Sequence, residues 1–306
     1  MKILSKLTAL GLTAAMIFSM AGCSNKTVEA NATESSGETS TVAETTASSP
    51  AVLQITIPVG TGSAAETLPE ETTAAETSET TTASASGSVN LDSIDITKDK
   101  VIALTFDDGP DTRDSHSTKL VLDALAKYNI KATFFLQGQA VESWMPERNH
   151  PTLRRMAEEG HEIATHTQNH LDLNKLTYDE IRYELEKSCD VIEEVTGVRP
   201  TLCRPPYGNA NDTVKEAIDM PMILWDVDTL DWDHKDPEQT IQRILDQAEG
   251  GSIVLMHDIW TATAEAMDQG LQDLIDAGFT MVTVSELFEI YGKELEGHTL
   301  YSSARE

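Results

Sequence analysis

The sequence predicts an α/β fold, a parallel sheet of about seven strands closed or nearly closed into a (β/α) barrel. Three observations carry this. From about Ile94 onward, short apolar runs alternate with segments of helical period. The apolar runs are nearly continuous, as in strands covered by helices, rather than alternating apolar with polar. About seven strand–helix units fit the length, which suits a barrel better than an open doubly wound sheet. No glycine-rich phosphate motif follows the first strand.

In chain order, Val101-Ile102-Ala103-Leu104 reads as a buried strand, and Thr118 to Lys127 as a helix by its apolar spacing. Lys131 to Leu136 is a second strand. Pro151 to Glu158 is a helix stopped by Gly160. Glu162-Ile163-Ala164 is a third strand. Thr177 opens a long helix, with Glu180 completing a capping box. Thr201-Leu202-Cys203 is a fourth strand, Asp212 to Asp219 a helix, and Met222 to Trp225 a fifth strand. Pro237 to Ala248 is helical, Ser252 to Met256 a strand, and Ala262 to Asp276 helical. Thr280 to Val284 is the last strand, and Ser285 caps the final helix.

Residues before this domain read differently. Lys2 and Lys6 precede an apolar run, Leu7 to Met20, and Ala21-Gly22-Cys23 closes it. That is the build of a signal peptide over 1–22. Ser19 to Cys23 resembles a bacterial lipobox, with Met20 where leucine is usual, and the resemblance implies a lipid on the Cys23 thiol. Residues 23–93 are rich in Thr, Ser, Ala and Glu, cannot bury enough apolar area to fold, and read as an acidic tether. Leu53 to Val59 alone has strand-like alternation within it. The folded domain is placed at 94–306.

The chain has 306 residues with 22 basic and 51 acidic side chains, a formal charge of −29. With no basic stripe to neutralise phosphates, this balance argues against nucleic acid and against any polyanionic substrate. The three cysteines show no zinc-type spacing, and with Cys23 lipidated, Cys189 and Cys203 read as small buried apolar residues rather than a pair.

Barrels of this kind carry their chemistry at the C-terminal ends of the strands. After the first strand comes Asp107-Asp108-Gly109-Pro110, where two adjacent carboxylates repel unless a cation sits between them or one serves another purpose. Taken alone it could equally be a turn. After the third strand, His166 and His170 are four apart, a spacing that would set both on one face of a helical turn, close enough to share a metal. His150 and His161 lack that spacing. Arg204-Pro205-Pro206-Tyr207-Gly208 follows the fourth strand, Asp226 to Trp232 the fifth, and His257-Asp258 the sixth. Together they suggest an open three-ligand metal site beside a spare carboxylate, an arginine and a histidine.

These segments resemble the five motifs of the polysaccharide deacetylase family, also called the NodB-homology or carbohydrate esterase family 4 domain. The resemblance covers about residues 97–290, and Thr105-Phe106-Asp107-Asp108-Gly109-Pro110 and Arg204 to Gly208 are its most specific parts. It implies a distorted (β/α) barrel and a set of roles. Asp108, His166 and His170 would hold a divalent metal, most suitably Zn2+. Asp107 would be the general base, held by Arg204. The Tyr207 backbone N–H would stabilise the oxyanion. His257 would be the general acid, supported by Asp231, and Trp232 and Leu255 would receive the acetyl methyl. The implied reaction is removal of N-acetyl groups from an N-acetylglucosamine-containing polysaccharide. A domain tethered by Cys23 to the outer face of the cell membrane would meet peptidoglycan first. An O-deacetylase such as an acetylxylan esterase would use the same residues. A surface glycan-binding protein on a dead scaffold would lack one of them, and none is missing. No protein partner is implied.

Overall fold

Strand β1 (Lys100–Asp107) sorts its side chains by the two-residue period of extended backbone. Ile102, Leu104 and Phe106 face one apolar cluster, shared with the surrounding helices. Val101 and Ala103 face a second, shared with Phe135, Ala164, Ile223 and Val282. Thr105 and Asp107 continue that second row, so the period that builds the core also aims the last carboxylate of the strand inward. The computed structural model describes residues 94–143 and 146–305, and the expected signal peptide, Cys23 and the expected tether lie outside them.

After β1 come α1 (Ser117–Lys127), β2 (Thr133–Leu136), α2 (Gly138–Val141), α3 (Pro146–Glu158), β3 (Glu162–Thr165) and α4 (Tyr178–Thr196). Then follow α5 (Asp212–Ala217), β4 (Met222–Ile223), β5 (Val227–Asp228), α6 (Asp231–His234) and α7 (Pro237–Gln247). The chain closes with β6 (Ile253–His257), α8 (Thr261–Asp276), β7 (Phe279–Val282), α9 (Val284–Ile290) and β8 (Leu300–Tyr301). The ladders run β3-β2-β1-β6-β5, all parallel, with β7 on the first half of β1. Single-residue bridges from Thr165 to Cys203 and from Cys203 to Met222, the two-residue ladder of β4 with β8, and a bridge from Ser303 back to Ser252 carry the ring onward. The architecture is a distorted (β/α) barrel, as expected, with helices α1, α7 and α8 packed together outside it.

Four local expectations need correction. The predicted fourth strand shrinks to Cys203, because the two prolines after Arg204 cannot donate to a ladder. The predicted strand to Trp225 stops at Ile223, because Arg204 claims the carbonyls of Ile223 and Leu224 at 2.9 Å each. Helix α3 begins at Pro146, and Pro151 sits inside it rather than starting it. Helix α9 is capped by Thr283, whose hydroxyl accepts from the Glu286 amide while the Glu286 carboxylate accepts from Thr283; Ser285 lies within the helix and donates to Glu162. The capping box of Thr177 and Glu180 is as predicted. Cys189 and Cys203 are both free and buried.

Candidate active site

Arg204 has no exposed surface. All its donor nitrogens are engaged: Nε on the Ile223 carbonyl, Nη2 on that of Leu224, and Nη1 on Thr105 Oγ1 at 2.8 Å and Asp107 Oδ1 at 2.7 Å. Phe135 lies 4.0 Å beneath the guanidinium. A buried ion pair survives only when its remaining donors are satisfied, and this one meets that condition. Burial pushes the Asp107 carboxyl above the ordinary range, and Arg204 opposes the shift.

Asp108 is different. Its backbone is in the left-handed region at φ 71, which turns its side chain away from its neighbour's partner. Its Oδ1 is buried without a hydrogen bond among the described residues. Two imidazole nitrogens stand near it, His170 Nε2 at 3.5 Å and His166 Nε2 at 3.8 Å. These separations are long for hydrogen bonds but close to the edge of a tetrahedron of donors about 2 Å from a shared centre.

The two histidines meet by another route than the helical turn expected. No helix forms between them: Thr167 at φ 67 and His170 at φ 53 coil the loop instead, leaving the ring centroids 4.9 Å apart. His166 Nδ1 lies 2.7 Å from the Arg204 carbonyl. A carbonyl only accepts, so Nδ1 carries the proton and Nε2 presents its lone pair between Asp107 Oδ2 at 3.7 Å and Asp108 Oδ1 at 3.8 Å. Burial pushes the His166 imidazole down to about 3, so it is neutral at physiological pH. Ligand atoms of Asp108, His166 and His170 all lie within 4.8 Å of one another. A bare buried carboxylate oxygen and a tautomer-fixed neutral imidazole fit a divalent cation. The carbonyl on Nδ1 is the usual outer-shell support of such a ligand.

Across the cleft, Asp231 has no exposed surface and accepts three hydrogen bonds, from His257 Nδ1 at 2.8 Å, the His257 amide at 2.7 Å and Thr263 Oγ1 at 2.6 Å. Burial alone would lower the His257 imidazole, but the Asp231 bond and charge, with Asp107 and Asp108 facing it, hold it up at about 9. Gly109 packs over the next residue, Asp258. A Cβ there would fall 2.5 Å from Asp258 Oδ2, which is why the turn after the two aspartates needs glycine.

Every predicted site residue of the domain except Arg204 and Asp231 lines one cleft of about 410 Å³, and those two stand behind it. Leu255 forms part of its buried wall, and Trp232 is half-exposed at its edge. The Tyr207 backbone is in the left-handed region at φ 61, and its ring is exposed, edge-on to His170. A second groove of about 540 Å³ shares His170 and Tyr207 and continues over Leu171, Asp172 and Lys175. Sequence reasoning missed Trp225, Asp228 and Trp260 as lining residues. Trp225 and Trp260 each lie within three residues of a strand end, a signal that was available. Asp228 was only one of several alternating carboxylates.

The Polysaccharide deacetylase family profile matches residues 95–222. The peptidoglycan-N-acetylmuramic acid deacetylase PdaC of Bacillus subtilis is 42% identical over 191 residues, 62% of this chain and 39% of that protein. The peptidoglycan-N-acetylglucosamine deacetylase PgdA of Listeria monocytogenes is 41% identical over 197 residues, 64% of this chain and 40% of that protein. The chain thus spans about two fifths of the length of these two relatives. A solved structure described as T48 deacetylase with substrate aligns with TM-score 0.63 at 41% identity, over 68% of this chain and all of that one.

Proposed function

Because this chain belongs to the polysaccharide deacetylase family, we propose that it is a metal-dependent hydrolase that removes N-acetyl groups from N-acetylglucosamine-containing polysaccharide, with peptidoglycan as its polymer. The observation that carries this reading is the unlike treatment of two adjacent carboxylates. Asp107 is locked onto a buried arginine, and Asp108 is left bare between two imidazoles.

Asp108, His166 and His170 would hold the cation, for which their donor set of two nitrogens and one oxygen suits zinc. When bound, the metal supplies Lewis acidity that makes water nucleophilic at neutral pH. Asp107, its pKa raised by burial, takes the proton that this water loses. Arg204 keeps the carboxylate oriented and ionised. No carbonyl among the described residues takes the Tyr207 N–H, which donates to the oxygen that becomes negative as the amide carbon turns tetrahedral. His257, charged at neutral pH, delivers a proton to the departing amine, and Asp231 stabilises the imidazolium until it does. Trp232 and Leu255 receive the methyl.

Two adjoining grooves sharing His170 and Tyr207 suit an extended chain of sugars rather than a single one. The same reading places the domain on a tether from a lipidated Cys23 at the outer face of the cell membrane, where peptidoglycan is the nearest acetylated polymer. The test is acetate release over a panel of N-acetylglucosamine oligomers, peptidoglycan and acetylated xylan, with and without chelator. Chelator-sensitive release from the first two supports the proposal. Release from acetylated xylan alone makes the enzyme an O-deacetylase, and undiminished release after complete metal removal overturns the metal role.

A further inference from the structure

The cleft has a rim that this chemistry leaves unused. Trp260, three residues beyond the end of β6, lines it, with its indole Nε1 buried and unpartnered among the described residues. Two cations share its ring. The Arg113 guanidinium, from the loop after β1, is 4.7 Å from the ring centroid. The Lys235 ammonium, just after α6, is 4.1 Å from it.

Both charges are presented rather than spent. Asp111 takes only Nε of Arg113, at 2.9 Å, so the two terminal nitrogens have no partner among the described residues, and the side chain is 47% exposed. Lys235 is exposed, pairs with no carboxylate among the described residues, and is held in the left-handed region at φ 50. Each charged head lies against the indole and keeps N–H groups that have no partner among the described residues.

We propose that Arg113 and Lys235, arrayed on Trp260, form a subsite for a carboxylate carried by the glycan, so that the cleft selects an acidic amino-sugar polymer over a neutral one. This rests on the deacetylase reading and narrows its substrate. The chain as a whole, at −29, repels acidic polymers. That repulsion is screened beyond about 10 Å, which leaves short-range contacts at the cleft to decide. In peptidoglycan the carboxylate has two sources, the lactyl ether of muramic acid and the stem peptide.

The experiment compares metal-loaded wild type with Arg113→Gln, Lys235→Gln and the double variant. The substrates are neutral N-acetylglucosamine oligomers, peptide-free peptidoglycan strands and peptide-bearing strands. The ratio of kcat/KM on acidic strands to that on neutral oligomers should fall roughly two- to fivefold per substitution, as for exposed ion pairs, and mostly through KM. Arg113→Lys should keep most of the ratio, and the double variant should lose the salt dependence that wild type shows on acidic strands. A fall on peptide-free strands identifies the lactyl carboxylate, and a fall confined to peptide-bearing strands identifies the stem. An unchanged ratio on both overturns the subsite. If wild type releases acetate from none of the three, the deacetylase reading fails. Calorimetric titration of peptide-free strands into wild type and the double variant still judges the subsite, and equal affinities would overturn it.

Discussion

The cleft has two walls, each built on a histidine beside a buried carboxylate, and the two histidines are in opposite states. His166, on the β1–β3 side, is pushed down to about 3 by burial and donates Nδ1–H to a carbonyl. His257, on the β6 side, is held at about 9 because its Nδ1 meets the Asp231 carboxylate instead. One partner, carbonyl or carboxylate, decides whether the outward nitrogen offers a lone pair or a proton. The first state suits a metal ligand and the second a general acid. The same division separates Asp107 from Asp108, one residue apart.

The largest effect should come from the first wall. His166→Ala removes a ligand, and the purified protein should lose both its metal and its acetate release, read by elemental analysis and a coupled acetate assay. A variant that keeps metal would dissolve the distinction between the walls. On the second wall, Asp231→Asn should leave metal bound and lower kcat roughly 10²-fold, toward the low end for general acid–base catalysis. The alkaline limb of its pH–rate profile should move down from about 9 toward the ordinary histidine value of 6.5.

The contrast also predicts two opposite pH slopes of stability in the metal-free protein. His257 binds its proton more tightly folded than unfolded. Its contribution is therefore complete below about 6.5 and is lost as pH rises toward about 9. His166 binds its proton less tightly folded, so stability falls as pH drops from about 6.5 toward about 3. Denaturant midpoints across pH should show both limbs, with His257→Gln flattening only the alkaline one. The smallest effect is expected for Thr263→Val, which removes one of three hydrogen bonds on Asp231. A loss near 1 kcal/mol of that support should lower the His257 pKa by less than about one unit and kcat by only a few fold.

Much of the first wall was legible in the sequence. The row Val101, Ala103, Thr105, Asp107 follows from strand period alone, and the His166–His170 spacing pointed to a shared metal. What the spacing missed was the means: positive φ at Thr167 and His170, rather than a helical turn, brings the rings together. Such backbone follows from tertiary packing around the site, not from local propensity. The second wall was harder to read. Asp226, Asp228 and Asp231 look alike in sequence, but Asp226 binds Ser252 and the Ile253 amide and pairs with Arg305. Only Asp231 reaches His257. The short strands β4, β5 and β8 were blurred or missed for a related reason. Arg204 occupies the carbonyls that a longer β4 would have offered to a neighbour, and two-residue ladders leave no period to detect.

The division of labour between Asp107 and Asp108 is tested most directly by measuring metal content and acetate release together in Asp107→Asn and Asp108→Asn, on one N-acetylglucosamine oligomer. Asp107→Asn should retain its metal while kcat falls by roughly 10²–10⁴ or more, and Asp108→Asn should lose metal and activity together. Near-normal turnover in Asp107→Asn, or stoichiometric metal in Asp108→Asn with none in Asp107→Asn, would contradict it.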